Sequence, residues 1–446
     1  MRKIIDCHIH HLEDSQVQWA RELGYYKICL MDHRPDVLAG ALKRHPDFVI
    51  ALGWLPMDQD SDRQLAAAKE FRALGCRGFK IICPKARYDD DGYYPLYELA
   101  QEYQMPLFFH TGWLDQRLVS SLYPTKRRPL VDWYDVFTLD RIALDFPRLK
   151  LVAYHMGNTR PADAAVLMKN HPNVFADTCT RLDEFTWMSI GGEQSGYPVL
   201  AKTVVGTDGM GTREGQKAMM DQLGQFLDMT GASPALQDRV YYKTALRILG
   251  MDEELKKHLH AGHASAQDVD IDLALAGKCR VKPVSDFVDV QGEPALHETL
   301  AYVGYDDTAI HATIVCRDAN IGELAISAQG PVEDIWQDDS IEMFITPEDG
   351  KYRHIVINPI GRAFIQTGRS ETAQLPLPVG HKIAKDAWAV QLSIPFTLLG
   401  EQPQPGARWR INICRNKISK PGQTITWMEI ASTFHDPASF GYIDFE

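Results

Sequence analysis

Near the start of the chain, Asp6-Cys7-His8-Ile9-His10 sets two imidazoles two positions apart at the end of an apolar run. In an extended strand such residues point the same way, so His8 and His10 project together. Imidazole is a good ligand for zinc and similar divalent ions. Three further polar residues close apolar runs later in the chain. They are His110 in Phe108-Phe109-His110-Thr111-Gly112, His155 in Ala153-Tyr154-His155-Met156-Gly157, and Asp208 in Gly206-Thr207-Asp208-Gly209. Nitrogen and carboxylate donors of this kind suit metal-assisted activation of water, with histidine available for proton transfer near neutrality.

These residues need a scaffold that brings distant strand ends to one place. Apolar runs at Lys3–Asp6, Tyr26–Met31, Phe48–Trp54, Gly78–Cys83, Leu107–His110, Leu149–His155, Val174–Asp177 and Thr203–Asp208 give eight candidate strands. Helical patterns separate them. The clearest begins with Ser61-x-x-Gln64, read as a capping box, buries Leu65, Ala68, Phe71 and Leu74, and stops at Gly75. Others are expected near Val131–Asp145, Pro161–Asn170, Glu214–Asp228 and Pro234–Leu249. Eight alternations in about 250 residues fit a (β/α)8 TIM-type barrel. The rival, an open doubly wound sheet, lacks its phosphate loop, since no G-x-G-x-x-G follows the first strand. In a barrel all strands deliver their C-terminal residues to a single mouth, where the chemistry of such folds takes place.

The chain is 446 residues long, which points to two domains. Residues 1–255 are expected to form the barrel, 256–285 a linker carrying His258, His260 and His263, and 286–446 an all-β sandwich. In the last segment the hydrophobic period changes to two: Ile341, Met343 and Ile345 alternate with polar neighbours, as do Trp388, Val390, Leu392 and Ile394, and Trp409, Ile411 and Ile413. A formal net charge of −12 without basic blocks argues against nucleic acid or an anionic membrane as a partner. The eight cysteines form no C-x-x-C pair, and no apolar window is long enough for a transmembrane helix. With no signal-peptide pattern at the N-terminus, a cytoplasmic protein with reduced thiols is expected.

The first 250 residues resemble the amidohydrolase superfamily, and within it the amidohydrolase-related branch that includes aminocarboxymuconate-semialdehyde decarboxylase. The resemblance rests on D-x-H-x-H, Gly78-Phe79-Lys80-Ile81, Tyr94-Pro95-Leu96-Tyr97, His110-Thr111-Gly112, His155-Met156-Gly157, Gly206-Thr207-Asp208 and Leu246-Arg247-Ile248-Leu249-Gly250. It departs at Lys243-Thr244, where the family usually has an asparagine. The resemblance implies that His8, His10, His110 and Asp208 hold one divalent metal, with zinc the expected ion. Asp208 would also accept the proton of an attacking water, and His155 would act as electrophile or general acid. In binuclear members of the superfamily a lysine on the fourth strand, where this chain has Lys80, is carbamylated and bridges two metals; here a mononuclear site is expected, with a second ion left open. Lys80, Trp113, Arg117 and Arg160 are candidate substrate contacts.

The second domain resembles the family 9 carbohydrate-binding modules through Trp336-Gln337-Asp338-Asp339-Ser340-Ile341-Glu342-Met343-Phe344, Asn358-Pro359-Ile360-Gly361, Ile394-Pro395-Phe396, Trp409-Arg410-Ile411-Asn412, Arg415 and Phe440-Gly441. That resemblance implies a sugar ligand, with Trp336 and Trp427 as aromatic platforms and Arg415 and Asn358 as hydrogen-bonding groups. The combined expectation is a metal-dependent hydrolase cleaving a C–O or C–N bond (lactone, ester or amide) of a small acidic or sugar-derived substrate. Two alternatives stay open: a non-oxidative decarboxylase using the same site, and a carbohydrate-binding protein with an idle barrel. Homo-oligomerisation is left open.

Overall fold

The computed structural model describes residues 2–114, 129–158, 160–179, 199–290, 292–327, 329, 332–348, 350–368, 371–373, 377, 379–430 and 433–446. The chain divides into two compact units, Met1–Glu254 and Leu255–Glu446.

In the first unit eight parallel strands follow one another in sequence order: β1 (Ile4–Ile9), β2 (Tyr25–Asp32), β3 (Val49–Trp54), β4 (Phe79–Ile81), β5 (Leu107–His110), β6 (Leu151–Tyr154), β7 (Val174–Asp177) and β8 (Thr203–Val204). A parallel bridge between Asp6 and Val205, with Cys7 N–H donating to the Val205 carbonyl at 2.8 Å, brings the last strand back to the first. The sequence-order pairing and this return make the sheet a TIM-type barrel. All four residues of β5, β6 and β7 are buried, as expected of strands covered on both faces.

Two helix expectations need correction. The helix Ser61–Leu74 is capped by Asp60, whose carboxylate accepts from Arg63 N–H at 2.9 Å, and not by Ser61. Gln64 turns inward instead, and its amide donates to the Gln59 carbonyl at 2.9 Å. The stop at Gly75 occurs as expected, with φ at +97°. The continuous helix expected over Val131–Asp145 is broken into a 3-10 turn, Val131–Tyr134, and a helix, Thr138–Asp145. Asp135 causes the break: its side chain accepts from Phe137 N–H at 2.9 Å and its carbonyl from the Thr138 hydroxyl at 2.6 Å, the local competition that favours turns over helix.

The second unit is a sandwich of two sheets. One has nine strands: β9 (His258–Ala261), β10 (Val288–Asp289), β13 (Ser340–Thr346), β14 (Arg353–Ile357), β15 (Ala363–Thr367), β16 (Glu371–Ala373), β19 (Arg408–Lys417), β20 (Gln423–Thr426) and β21 (Gly441–Phe445). The other runs β11 (Thr299–Tyr305), β12 (Ala309–Arg317), β18 (Ala387–Pro395) and β17 (Val379–Ile383). The alternating residues read from the sequence in β13, β18 and β19 all enter one core, together with Trp427 and Ile425.

The segment 256–285, expected as a linker, is folded into this unit. β9 pairs in parallel with β21, burying Leu259 and Ala261 while His258 and His260 face outward. A short helix, Ile271–Leu275, packs Ile271 and Ala274 with Val315 and Ala389. Four residues alternating apolar with histidine are too few for period two to stand out, which is why the strand was not visible. Among the described residues no helix is long and apolar enough to cross a membrane.

Candidate active site

β1 carries His8 to the floor of the barrel mouth, fully buried, and His10 follows at the rim with about a third of its side chain exposed. Asp208 follows β8 and lies over both: its Oδ1 is 3.2 Å from His8 Nε2 and 3.2 Å from His10 Nε2. One donor atom from each of the three lies within 4.8 Å of the others. Burial, reinforced by the neighbouring Lys80, pushes the His8 pKa well below its usual value, which keeps the imidazole neutral and able to ligate.

The orientation of His8 is fixed from behind. Its Nδ1 lies 2.7 Å from Asp177 Oδ2 at the end of β7, so Nε2 is the nitrogen that faces Asp208. Asp177 also accepts from the His155 backbone N–H at 2.7 Å through its other oxygen. Carboxylates that hold the far nitrogen of a ligating histidine set its tautomer and raise its basicity. Asp6 does similar work on the backbone, accepting from His8 N–H at 3.0 Å and from the Thr207 hydroxyl at 2.6 Å. The Tyr154 ring stacks flat on His8 with centroids 3.8 Å apart. Sequence reasoning assigned Asp6, Asp177 and Tyr154 no part in the site. Asp6 and Asp177 each end an apolar run, and Tyr154 directly precedes His155.

His110 and His155 adjoin the trio. Their rings are 4.6 Å apart, and His155 is 4.9 Å from His8. His110 Nε2–H donates to the Trp113 carbonyl at 2.9 Å, which leaves Nδ1 as the nitrogen able to take a metal. His110 is thus beside the His8–His10–Asp208 cluster and not one of its three closest donors. Lys80 is fully buried, with Nζ 3.4 Å from His8 Nε2 and 4.1 Å over the Tyr154 ring. Burial lowers its pKa to about 8.

The backbone around this cluster is strained. His155, Met156 and Asn158 have φ of +63°, +49° and +56°, and Asp208 has +62°. Left-handed conformations of non-glycine residues cost free energy and gather at functional sites. The neighbouring glycines serve close approach. A Cβ on Gly206 would sit 2.5 Å from Asp177 Oδ2, and one on Gly112 2.6 Å from the Asn158 Cβ. Beside His10, whose ring is 5.8 Å from Trp54, a cavity of about 330 Å³ opens between Trp54, His33, Met57, Glu70, Phe71 and Cys83.

Other expected contacts are placed elsewhere. Arg160 is held by Asp135 and Asp163, each at 2.5 Å, so its guanidinium is already engaged by two carboxylates. Trp113 exposes its indole to solvent and contributes to the site through its carbonyl. Arg117 lies outside the described residues. In the sandwich, Trp336 is 52% exposed and free to meet a ligand. Trp427 is not: it is buried, and its indole N–H donates to Asp286 at 3.1 Å. Arg415 is also buried, donating to the Glu298 and Arg317 carbonyls at 3.2 and 3.1 Å. Asn358 is buried as well and closes the turn before β15 by accepting from Arg362 N–H at 3.0 Å. A tryptophan and an arginine on alternating positions of a two-sheet core pack inward, which overrides the polar role their types suggest.

No curated protein matches this chain. Solved structures similar to parts of it include an uncharacterised TIM-barrel protein from Bordetella bronchiseptica, with 16% identity over 56% of this chain and 99% of that one and a TM-score of 0.44. A 2,6-dihydroxybenzoate decarboxylase from Rhizobium has 14% identity over 56% of this chain and 100% of its own, with a TM-score of 0.43. A family 9 carbohydrate-binding module from Caldicellulosiruptor kristjanssonii, in complex with glucose, has 17% identity over 43% of this chain and 96% of its own, with a TM-score of 0.32. Residues 32–251 match the family described as Amidohydrolase. That segment begins after His8 and His10 and includes Asp208, so two of the three clustered donors lie outside the match. The likeness to that family and the eight-stranded parallel barrel fall on the same part of the chain.

Proposed function

We propose that the barrel is a metal-dependent hydrolase that activates water to cleave a C–O or C–N bond, as in a lactone, ester or amide, of a small acidic or sugar-derived substrate. The observation that carries this reading is the meeting of His8, His10 and Asp208 within 4.8 Å, with His8 held from behind by Asp177. Two imidazoles and a carboxylate, with His110 Nδ1 available as a fourth donor, are a set that fits zinc or a similar divalent ion. Such an ion supplies Lewis acidity at the mouth, the property that acidifies water and polarises carbonyls.

The chain's own groups then divide the remaining work. Asp208, with 40% of its side chain exposed, accepts the proton of the attacking water at its carboxylate. His155, buried with its ring 4.9 Å from that of His8, polarises the substrate carbonyl or protonates the leaving group. The cavity beside Trp54 receives the part of the substrate that does not react.

A second reading, decarboxylation, is favoured by one observation. Lys80 places a buried amine 3.4 Å from His8 Nε2, where it would attract a substrate carboxylate to the centre.

The test is the full chain loaded with zinc or manganese and offered lactones, esters and amides with a pH indicator, and carboxylic acids with carbon dioxide detection. Proton release on ring opening, abolished by chelator and by Asp208→Asn, is expected. Carbon dioxide release without hydrolysis would move the assignment to decarboxylation. Neither product, with no metal retained on elemental analysis, would overturn both and leave a binding protein with an idle barrel.

A further inference from the structure

We propose that the sandwich carries its own metal-binding site, formed by Glu342, His354 and His435. It would take a divalent ion of the zinc type and fasten the segment before β21 to the face of the nine-stranded sheet.

Glu342 is on β13 and His354 on β14. The two strands pair antiparallel with Phe344 opposite His354, which sets Glu342, Phe344 and His354 on one face. Ile341, Met343 and Ile345 occupy the other face and enter the core between the sheets. The first face is nevertheless covered. Glu342 and His354 side chains are 7% and 5% exposed, and Phe344, Phe434 and Phe440 are buried around them. His435 comes from the covering segment, so the three residues join the sheet to its cover.

One ligand atom from each of Glu342, His354 and His435 lies within 4.8 Å of the other two. A carboxylate with two imidazoles is a zinc-type donor set. Glu342 and His435 each have a further polar neighbour, as ligating residues do, and His354 is held by stacking. Asn416 Nδ2 donates to Glu342 Oε1 at 2.6 Å. The Tyr352 hydroxyl lies 3.0 Å from His435 Nδ1. Phe344 stacks on the His354 ring at 4.4 Å with 5° between planes.

A second observation points to a ligand. His354 Nε2 contacts Glu342 Oε2 at 2.6 Å, while its Nδ1 is buried with no hydrogen-bond partner. Buried polar atoms normally find partners, so this ring is incompletely satisfied, and its Nε2 is the nitrogen that an ion would share with Glu342. On the same face Asn412 is paired: its Nδ2 donates to the Thr426 hydroxyl at 3.0 Å, and its Oδ1 accepts from Met428 N–H at 3.0 Å.

The experiment uses the full chain in three forms: wild type, the barrel variant His10→Ala/Asp208→Asn, and that variant with His435→Gln added. Each is incubated with zinc, desalted and counted by elemental analysis, with circular dichroism as the check on folding. The expected result is that the barrel variant keeps about one zinc per chain and that adding His435→Gln removes it. Chelator should lower the thermal midpoint of the barrel variant and leave that of the combined variant unmoved. Cobalt in place of zinc should give visible d–d absorption in the barrel variant that His354→Gln also abolishes, a second route should His435→Gln perturb folding. A folded barrel variant that retains no metal, or one that retains it after both His354 and His435 are replaced, overturns the proposal.

Discussion

In the barrel, buried imidazoles and carboxylates face one another across the strand ends; in the sandwich, the buried charges are consumed by the fold. Lys417 Nζ lies 2.6 Å from Asp318 Oδ2 and 2.8 Å from the Ser419 hydroxyl, and Arg415 gives its two terminal nitrogens to backbone carbonyls. Lys80 in the barrel has instead a histidine nitrogen at 3.4 Å and an aromatic face. Burial alone therefore does not mark a site. What marks it is whether a buried polar group is answered by a complementary partner or by another group that also needs one. By that criterion the barrel mouth is a site, Arg415 is a structural residue, and Glu342–His354–His435 is the place where the sandwich resembles the barrel.

The sharpest way to break this contrast is a matched pair of substitutions that each remove one carboxylate charge. Asp208→Asn should lower turnover by about 10³-fold, the scale of losing a general base, while the thermal transitions stay in place. Asp318→Asn should leave turnover per folded molecule intact. It should destabilise the second unit by about 3–5 kcal/mol because Lys417 is left as an uncompensated buried charge. Calorimetry separates the two units' transitions, and steady-state rates read the barrel. Equal effects of both variants on both readouts would erase the distinction.

Acid should act on the same pair with a defined sign. Burial alone would raise the Asp318 pKa, but the Lys417 ammonium and the Asn320 N–H outweigh it and hold the carboxyl below its ordinary 3.8. A group whose folded pKa is depressed contributes stability that is complete above the unfolded value and is lost as pH falls through the folded one. The stability gap between wild type and Asp318→Asn should therefore be constant from neutral pH to about pH 5 and shrink below about pH 4. A gap that grows on acidification would contradict the ion pair.

Asp177→Asn probes the barrel at one remove from the donors. The amide keeps the size of the carboxylate but loses its charge behind His8 Nδ1, so zinc affinity should fall by about 10–100-fold, the usual cost of losing such a partner. Competition with a coloured chelator measures it. An unchanged affinity would mean that the 2.7 Å contact orients nothing.

The two regions also differed in how much of them could be read in the sequence. The barrel was legible because parallel strands leave continuous apolar runs, and because His8, His10 and Asp208 end those runs where a closed sheet must bring them together. Asp177 ended a run too, yet nothing in its type distinguished a bracing carboxylate from a surface one; only closure of β7 against β8 puts it behind His8. In the sandwich, period two predicted the core of β13, β18 and β19 but not what covers the outer face. Trp427 and Arg415 looked available because residue type suggests exposure, whereas burial depends on long-range pairing of β19 with β20 and β13. His435 lies some eighty residues from His354, and no local pattern links them.

The smallest effect is expected at Trp336, and it tests whether the outer surface of the sandwich has any task. With its ring 52% exposed, Trp336→Ala should change stability by less than about 0.5 kcal/mol. With Trp427 and Arg415 buried, a sugar would meet one aromatic face and not two, so any binding should be weak and should depend on this residue alone. Affinity electrophoresis through gels containing soluble glucans reads this directly: retardation of the wild type that vanishes in Trp336→Ala assigns the platform. Retardation that survives the substitution would place sugar binding on a different surface, because the two other candidates are already sealed in the core.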